Sequence, residues 1–391
     1  MRIAIDVSPL YETNLTGIGL AIVNLLHGLA RIDAYNDYRL LYIGGLKSQA
    51  AERLKLVRKR LPAQSNFPFC HHRFPSRLNL NLVREYLLPV NCFTGDFDLL
   101  HVPYHFAPLV RGRRTIHTVY DLTPVINPAW HTPRNAAEFR RSLRLITRRT
   151  DRVLAISEST GRDLVRLFDF PADRVTVVHL GVDRERFFPL DEAQRPAARQ
   201  KLADYGIKGE YLLYVGTIEP RKNLERLLLA FDRLRRLGHR ECRLVIAGKR
   251  GWLCDGYDKT LAGLPAATRE MIIQTEYFPT SDLAALYNLA ALLVYPSLYE
   301  GFGLPVLEAM ACGCPVVTSN VSSLPELAGG AGRLVDPLDV EAIAAAISAV
   351  LADPAERERM WREGLQQAAR FSWEETARKT LDVYRSEAAK N

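Results

Sequence analysis

Residues 295 to 317 read YPSLYEGFGLPVLEAMACGCPVV: the end of an apolar strand, a turn carrying Gly301 and Gly303, and a helical run that begins near Pro305. Glycines let backbone N–H groups come close to a ligand, proline suits the first turn of a helix, and a helix N-terminus offers unpaired donors at the positive end of its dipole. That combination favours a diphosphate or sugar hydroxyls. Glu300 and Glu308 flank the turn with seven residues between them, so one carboxylate sits at the strand end and the other about one turn into the helix. Ionised carboxylates accept hydrogen bonds from hydroxyl groups, which suits sugar and ribose recognition. The plainer reading is two surface acids at a helix start.

On either side of this stretch, short β-branched runs alternate with longer amphipathic ones, the pattern of βαβ units and parallel sheets with helices on both faces. One series comprises Ile3 to Val7, Tyr38 to Ile43, Leu99 to Val102, Thr115 to Tyr120, Val153 to Ile156 and Val175 to Val178. A second comprises Tyr211 to Val215, Arg243 to Ala247, Met271 to Gln274, Ala291 to Tyr295, Pro315 to Thr318 and Gly332 to Val335. The polar, proline-containing HLGVDRERFFPLDEAQRP lies between them and reads as a connection, with the boundary near Arg184 to Pro189. The 391 residues thus divide into an N-terminal domain, 1–185, and a C-terminal domain, 186–374. From Ser372 onward, Trp373, Ala377, Thr380, Leu381 and Tyr384 recur at helical spacing.

With 48% hydrophobic and 25% charged residues, the composition is that of an ordinary globular protein. No apolar run reaches the roughly 18–20 residues that span a bilayer, and Met-Arg leads straight into Ile3 to Val7 without a signal-like segment. Cys70, Cys92, Cys242, Cys254, Cys312 and Cys314 contain no CxxC pair, so a reducing, cytoplasmic setting is expected. Cys312 and Cys314 alone are half a metal site, and Pro103 breaks the helix that His101 and His105 would need to act as a metal pair. No metal is expected. The net charge of +8 is uneven: residues 1–184 hold 26 Lys/Arg against 16 Asp/Glu, the remainder 26 against 28. The basic clusters Lys55 to Arg60, Arg73 to Arg84, Arg111 to Arg114 and Arg134 to Arg152 suit an anionic membrane surface or acceptor, or are simply a solvated Arg-rich surface. None coincides with a nucleic-acid-binding module, so no nucleic-acid partner is expected.

Further motifs extend over nearly the whole chain in a fixed order: TGIG at Thr16 to Gly19, VYDLTPV at 119–125, AISEST at 155–160, HLGVD at 179–183, VGTIEPRKNL at 215–224, the EGFGLPVLE run and FSWEET at 371–376. With these the sequence resembles the retaining glycosyltransferase family 4, of the fold called GT-B. The resemblance implies an α/β architecture of two Rossmann-like domains facing across a deep cleft, with a C-terminal helix, 375–391, crossing back to complete the first. It implies that Glu300 contacts the transferred sugar and Glu308 the ribose, and that the backbone of Phe302, Gly303 and Leu304 holds sugar hydroxyls and phosphate. Gly17 and Gly19 become cleft residues; the missing third glycine of the dinucleotide fingerprint disfavours a nicotinamide site.

In VGTIEPRKNL, Arg221 and Lys222 lie just past a strand end, where a parallel sheet normally receives its ligand, and two cations there suit a departing diphosphate. Surface charges opening a helix are the alternative. Many relatives carry an arginine directly after the strand glycine, here Gly216, whereas this chain has Thr217; substitution by Arg221 is left open. Relatives also show His-Asp where this chain has Tyr120-Asp121, which removes any histidine-based role there and leaves Asp121 at the cleft. His117, three residues earlier on the strand, faces the other way from Tyr120 and is read as structural. Lys249 and Phe278 are nucleotide neighbours in this reading.

The function implied is transfer of a hexose from a nucleotide sugar to a glycan or polyprenyl-diphosphate-linked acceptor in surface polysaccharide synthesis, with no cofactor. TGIG and GTIEPRKNL favour GDP-mannose, with UDP-glucose next. Localisation is expected at the cytoplasmic side, peripheral to the membrane through the basic domain. A nucleotide-sugar epimerase on the same fold and a non-catalytic sugar-binding module are the rivals.

Overall fold

The computed structural model describes all residues except 12–14, 46–54, 56, 75–88, 276–277, 280 and 391. Arg77 and Arg84 of the basic run therefore lie outside the described residues. The chain forms two compact units. The first comprises Met1–Ile126, Pro133–Gly181 and Trp373–Asn391; the second comprises Asn127–Thr132 and Val182–Ser372. The junction falls before Arg184, because Val182 N–H donates to Phe371 O at 3.1 Å and so ties the start of the connection to the second unit.

The first unit holds β1 (Arg2–Asp6), β2 (Asp37–Gly45), β3 (Phe69–Phe74), β4 (Leu99–Val102), β5 (Arg114–Val119), β6 (Arg152–Ala155) and β7 (Val175–Val177), in the order β3-β2-β1-β4-β5-β6-β7. All pairs are parallel. Six of these strands match the apolar runs of the sequence to within a residue or two at each end. β3 does not: it is FCHHRF, an edge strand paired only with β2, and an edge tolerates polar side chains that a central strand would not.

Helix α1 (Gly17–Ile32) starts at Thr16, whose hydroxyl accepts from Gly19 N–H. The C-terminal helix Trp373–Ala388 packs on it, with Ala377, Leu381 and Tyr384 sharing one core with Ile3, Leu26 and Leu29. The approach is close: a Cβ on Gly28 would lie 2.8 Å from Trp373 O. Helix α2 (Pro133–Arg149) buries Ala136, Leu143 and Ile146 and turns its arginines outward.

The second unit holds β8 (Tyr211–Val215), β9 (Arg243–Ala247), β10 (Ile272–Thr275), β11 (Leu292–Tyr295), β12 (Val316–Ser319) and β13 (Arg333–Val335), again all parallel, in the order β10-β9-β8-β11-β12-β13. The order reverses between β8 and β11, which are registered through Leu212 with Leu292 and Leu213 with Leu293. Two strand ends, Val215 and Tyr295, thereby open side by side into one crevice, the place where parallel sheets bind ligands. Helix α3 (Leu224–Arg236) leaves the first of them and α4 (Leu304–Ala311) the second.

Candidate active site

Past β8 the chain makes a tight exit. Gly216 has φ of +149°, and a Cβ on Gly248, after β9, would lie 1.9 Å from Gly216 O, so only glycine fits there. The turn Pro220–Lys222 follows, and Asn223 closes it in the left-handed region at φ +61°. Its side-chain amide donates to Pro296 O at 2.9 Å and to Pro337 O at 2.6 Å, anchoring the turn to the ends of β11 and β13. Arg221 and Lys222 are thus fixed at the switch point by backbone geometry.

From the other strand comes Glu300, whose N–H donates to the Ser322 hydroxyl at 3.0 Å. Its carboxylate takes both cations: Lys222 Nζ lies 2.6 Å from Oε1 and Arg221 Nη1 2.7 Å from Oε2. Arg221 Nε pairs in turn with Glu219 at 2.6 Å, and Lys222 Nζ also donates to the Tyr295 hydroxyl at 2.7 Å. All of these side chains are largely buried. Burial alone would raise the pKa of Glu300, but Arg221 and Lys222 hold it down at about 2. Burial, then the neighbouring Arg221, lowers that of Lys222.

Gly303, at φ +117°, caps α4, and its would-be Cβ lies 2.9 Å from Leu324 Cδ2, so the turn through Phe302 and Leu304 is built for glycine. One turn on, Glu308 accepts from Tyr287 OH at 2.8 Å. Burial pushes its carboxyl up to about 7. Thr217 lies on the exit turn, and a Cβ on Gly251 would come within 2.7 Å of its methyl group. Lys249 is solvent-exposed, its carbonyl accepting from Ile218 N–H at 3.0 Å beside that turn. Phe278 stands past β10, two strands from β8, and packs on Tyr205 with ring centroids 4.6 Å apart. Glu219, Tyr287, Asn223 and Tyr295 are the supporting residues that sequence reading passed over, although Glu219, Asn223 and Tyr295 lie inside the quoted motifs.

In the first unit, Tyr120, Asp121 and His105 line one pocket with Ile18 of the TGIG segment, Thr118 and Phe139. Asp121 Oδ1 accepts from Thr123 N–H at 3.1 Å and from its hydroxyl at 2.9 Å, capping the turn that follows. Gly17 is exposed, and a Cβ there would meet nothing within 4 Å. Gly19 is buried against Leu15. His101 is bonded at both ring nitrogens, to Tyr384 OH at 2.6 Å and Thr118 Oγ1 at 2.8 Å, and burial pushes it down to about 3. His117 is bonded to Thr150 and Phe106 in the same manner. Among the described residues, no three His, Cys, Asp or Glu side chains cluster as a metal site, and no helix is long and apolar enough to cross a membrane.

Residues 15–186 match the family described as Glycosyltransferase Family 4, and residues 197–367 that described as Glycosyl transferases group 1. The chain is 38% identical over 290 residues to an O-antigen chain mannosyltransferase B of Escherichia coli, covering 73% of this chain and 74% of that protein. It is 34% identical over 310 residues to the serotype-specific mannosyltransferase WbdA of Escherichia coli, spanning 78% of this chain but 37% of the larger protein. Among solved structures, a sucrose-phosphate synthase from Thermosynechococcus elongatus superposes with a TM-score of 0.74 at 21% identity, covering 100% of both chains. WaaG, a glycosyltransferase involved in lipopolysaccharide biosynthesis, gives 0.69 at 16% identity, covering 97% of this chain and 99% of that one. Anabaena Alr3699/HepE in complex with UDP and glucose gives 0.75 at 15% identity, covering 99% and 100%. At these identities the likeness is one of fold, the two Rossmann-like units called GT-B.

Proposed function

This chain belongs to glycosyltransferase family 4, and from that premise we propose that it transfers a mannosyl unit from GDP-mannose to a glycan or polyprenyl-diphosphate-linked acceptor in surface polysaccharide synthesis. The observation that carries the reading is the Arg221–Glu300–Lys222 constellation at the switch point. Counting Glu219, its formal charges cancel, so an incoming diphosphate exchanges carboxylate partners for phosphate oxygens instead of meeting bare cations. Arg221 and Lys222 then take up the charge that develops on the leaving nucleoside diphosphate, and Glu300 is released toward the sugar hydroxyls. Glu308 accepts from the ribose. The acceptor hydroxyl forms its bond to the anomeric carbon on the face that the phosphate vacates. The carbon–phosphate-oxygen bond breaks, and the departing phosphate takes the hydroxyl proton, so configuration is retained. With two fixed cations in place, the reaction runs without a metal.

Mannose is favoured by the two mannosyltransferase relatives; UDP-glucose is the second donor, favoured by a fold neighbour that binds it. The outer face of α2 supports peripheral contact with an anionic membrane. Arg140, Arg141, Arg144 and Arg148 are exposed there, and none of the four is paired with a carboxylate among the described residues.

The test is nucleoside diphosphate release from GDP-mannose, UDP-glucose, UDP-N-acetylglucosamine and UDP-galactose in excess chelator, with all products identified. Release from GDP-mannose that accelerates with a bacterial lipid extract supports the proposal. A different productive donor overturns the sugar assignment, an isomerised donor replaces transfer by epimerisation, and abolition by chelator overturns the metal-free reading.

A further inference from the structure

Among the described residues Lys222 Nζ has two acceptors, Glu300 and Tyr295, the last residue of β11. Its hydroxyl oxygen lies 2.7 Å from Lys222 Nζ, and Nζ stands 5.1 Å from the centroid of the same ring. The ring is 1% exposed and stacks on Tyr214 of β8, centroids 5.7 Å and planes 15° apart. The two strands that form the switch point are therefore pinned together directly beneath the ammonium. An ammonium has three N–H bonds and no acceptor, and a buried one needs partners for them. Glu300 takes one and Tyr295 a second, and among the described residues no acceptor takes the third.

We propose that Tyr295 is a positioning residue for Lys222: its neutral hydroxyl keeps one N–H throughout turnover and so fixes the aim of the ligand-facing N–H while Glu300 exchanges partners. The inference rests on Lys222 as a ligand of the donor diphosphate. Burial, then the charge of Glu300, holds the phenol far above its usual range, so it stays protonated and uncharged. A neutral acceptor is not drawn away by sugar hydroxyls as a carboxylate is. It also favours the charged form of an ammonium that burial otherwise discourages.

The test is Tyr295→Phe in the full chain, with Tyr214→Phe as a matched deletion of a buried hydroxyl that bonds Thr217 O instead of Lys222. Tyr295→Phe is expected to lower kcat about tenfold, to change the donor KM less than about threefold, and to move the alkaline limb of the pH–rate profile about one unit lower. Tyr214→Phe is expected to leave that limb in place. A Tyr295→Phe enzyme with wild-type kcat and limb overturns the proposal, and so does an equal shift in both variants, which would mark a packing effect. Lys222→Met separates the two levels: full turnover in that variant removes the reading of the site itself, whereas its inactivity beside a normal Tyr295→Phe removes only the role of Tyr295.

Discussion

Glu300 and Glu308 stand on either side of one glycine turn, and their surroundings drive them to opposite acidities. Burial raises both. Glu300 answers it with Arg221 and Lys222 and is held at about 2, whereas Glu308 meets a neutral phenol, Tyr287, and is pushed up to about 7. One carboxylate is permanently charged, and the other changes charge near neutrality.

Nucleotide binding should follow the second of these. A carboxylate accepts from a ribose diol better than a carboxylic acid, so the affinity for GDP is expected to rise with pH through about 7 and to become flat in Glu308→Gln. Titration calorimetry at several pH values checks this. For stability the sign is reversed: a carboxyl raised from 4.5 to about 7 contributes fully below 4.5 and loses that contribution as pH climbs through 7. Glu308→Gln should therefore melt higher than the wild type at pH 8, by on the order of 2 kcal/mol after allowing for its partial exposure.

The charged cluster should dominate turnover. Glu300→Ala and Lys222→Ala are each expected to lower kcat at least about tenfold, equivalent to about 1.4 kcal/mol of transition-state stabilisation. Initial rates of nucleoside diphosphate release measure it. Full activity in both variants would show that the donor lies elsewhere.

Two glycines should separate folding from ligand approach. Gly248→Ala puts a methyl carbon 1.9 Å from Gly216 O, so the variant is expected to lose its cooperative melt or to express insolubly. Gly17→Ala meets nothing in the protein within 4 Å and should melt as the wild type does. If Gly17 borders the donor, its alanine variant raises the donor KM several-fold with Tm unchanged. Equal melts and equal kinetics would place it outside the site.

The arginine face of α2 should govern membrane association. At about 1 kcal/mol per cation near an anionic surface, the triple change Arg141→Glu, Arg144→Glu and Arg148→Glu is expected to weaken binding to phosphatidylglycerol vesicles at least about tenfold. Slow donor hydrolysis without acceptor should stay unchanged. Vesicle co-sedimentation reads the first quantity, and equal sedimentation of the two proteins would rule the face out.

Much of this was legible in the chain itself, for identifiable reasons. Buried parallel strands are continuous apolar runs, so Tyr211–Val215 and Arg243–Ala247 fall where their sequences begin and end. FCHHRF escaped because an edge strand needs no such run. The acid pair and the two cations were legible because a glycine turn between a strand and a helix constrains what the flanking side chains can reach. Their supports were not. Tyr287 reaches Glu308 from another helix, and no spacing rule links residues 21 positions apart. Asp121 was read as a cleft acid, and the structure adds a local duty, the cap of Thr123.

The helix Trp373–Ala388 belongs to the first unit although the whole second unit precedes it in the chain. Tyr384 bonds His101, and Glu387 bonds Arg152 at 2.6 Å, from within that core. A ribosome delivers residues 1–181 first, yet their hydrophobic face stays uncovered until residue 384 has left the exit tunnel. The second unit, almost contiguous, is free to fold in the meantime. The segment that seals the first unit is thus made only after the second, and a nascent chain stalled anywhere before it exposes the surface that chaperones and proteases recognise.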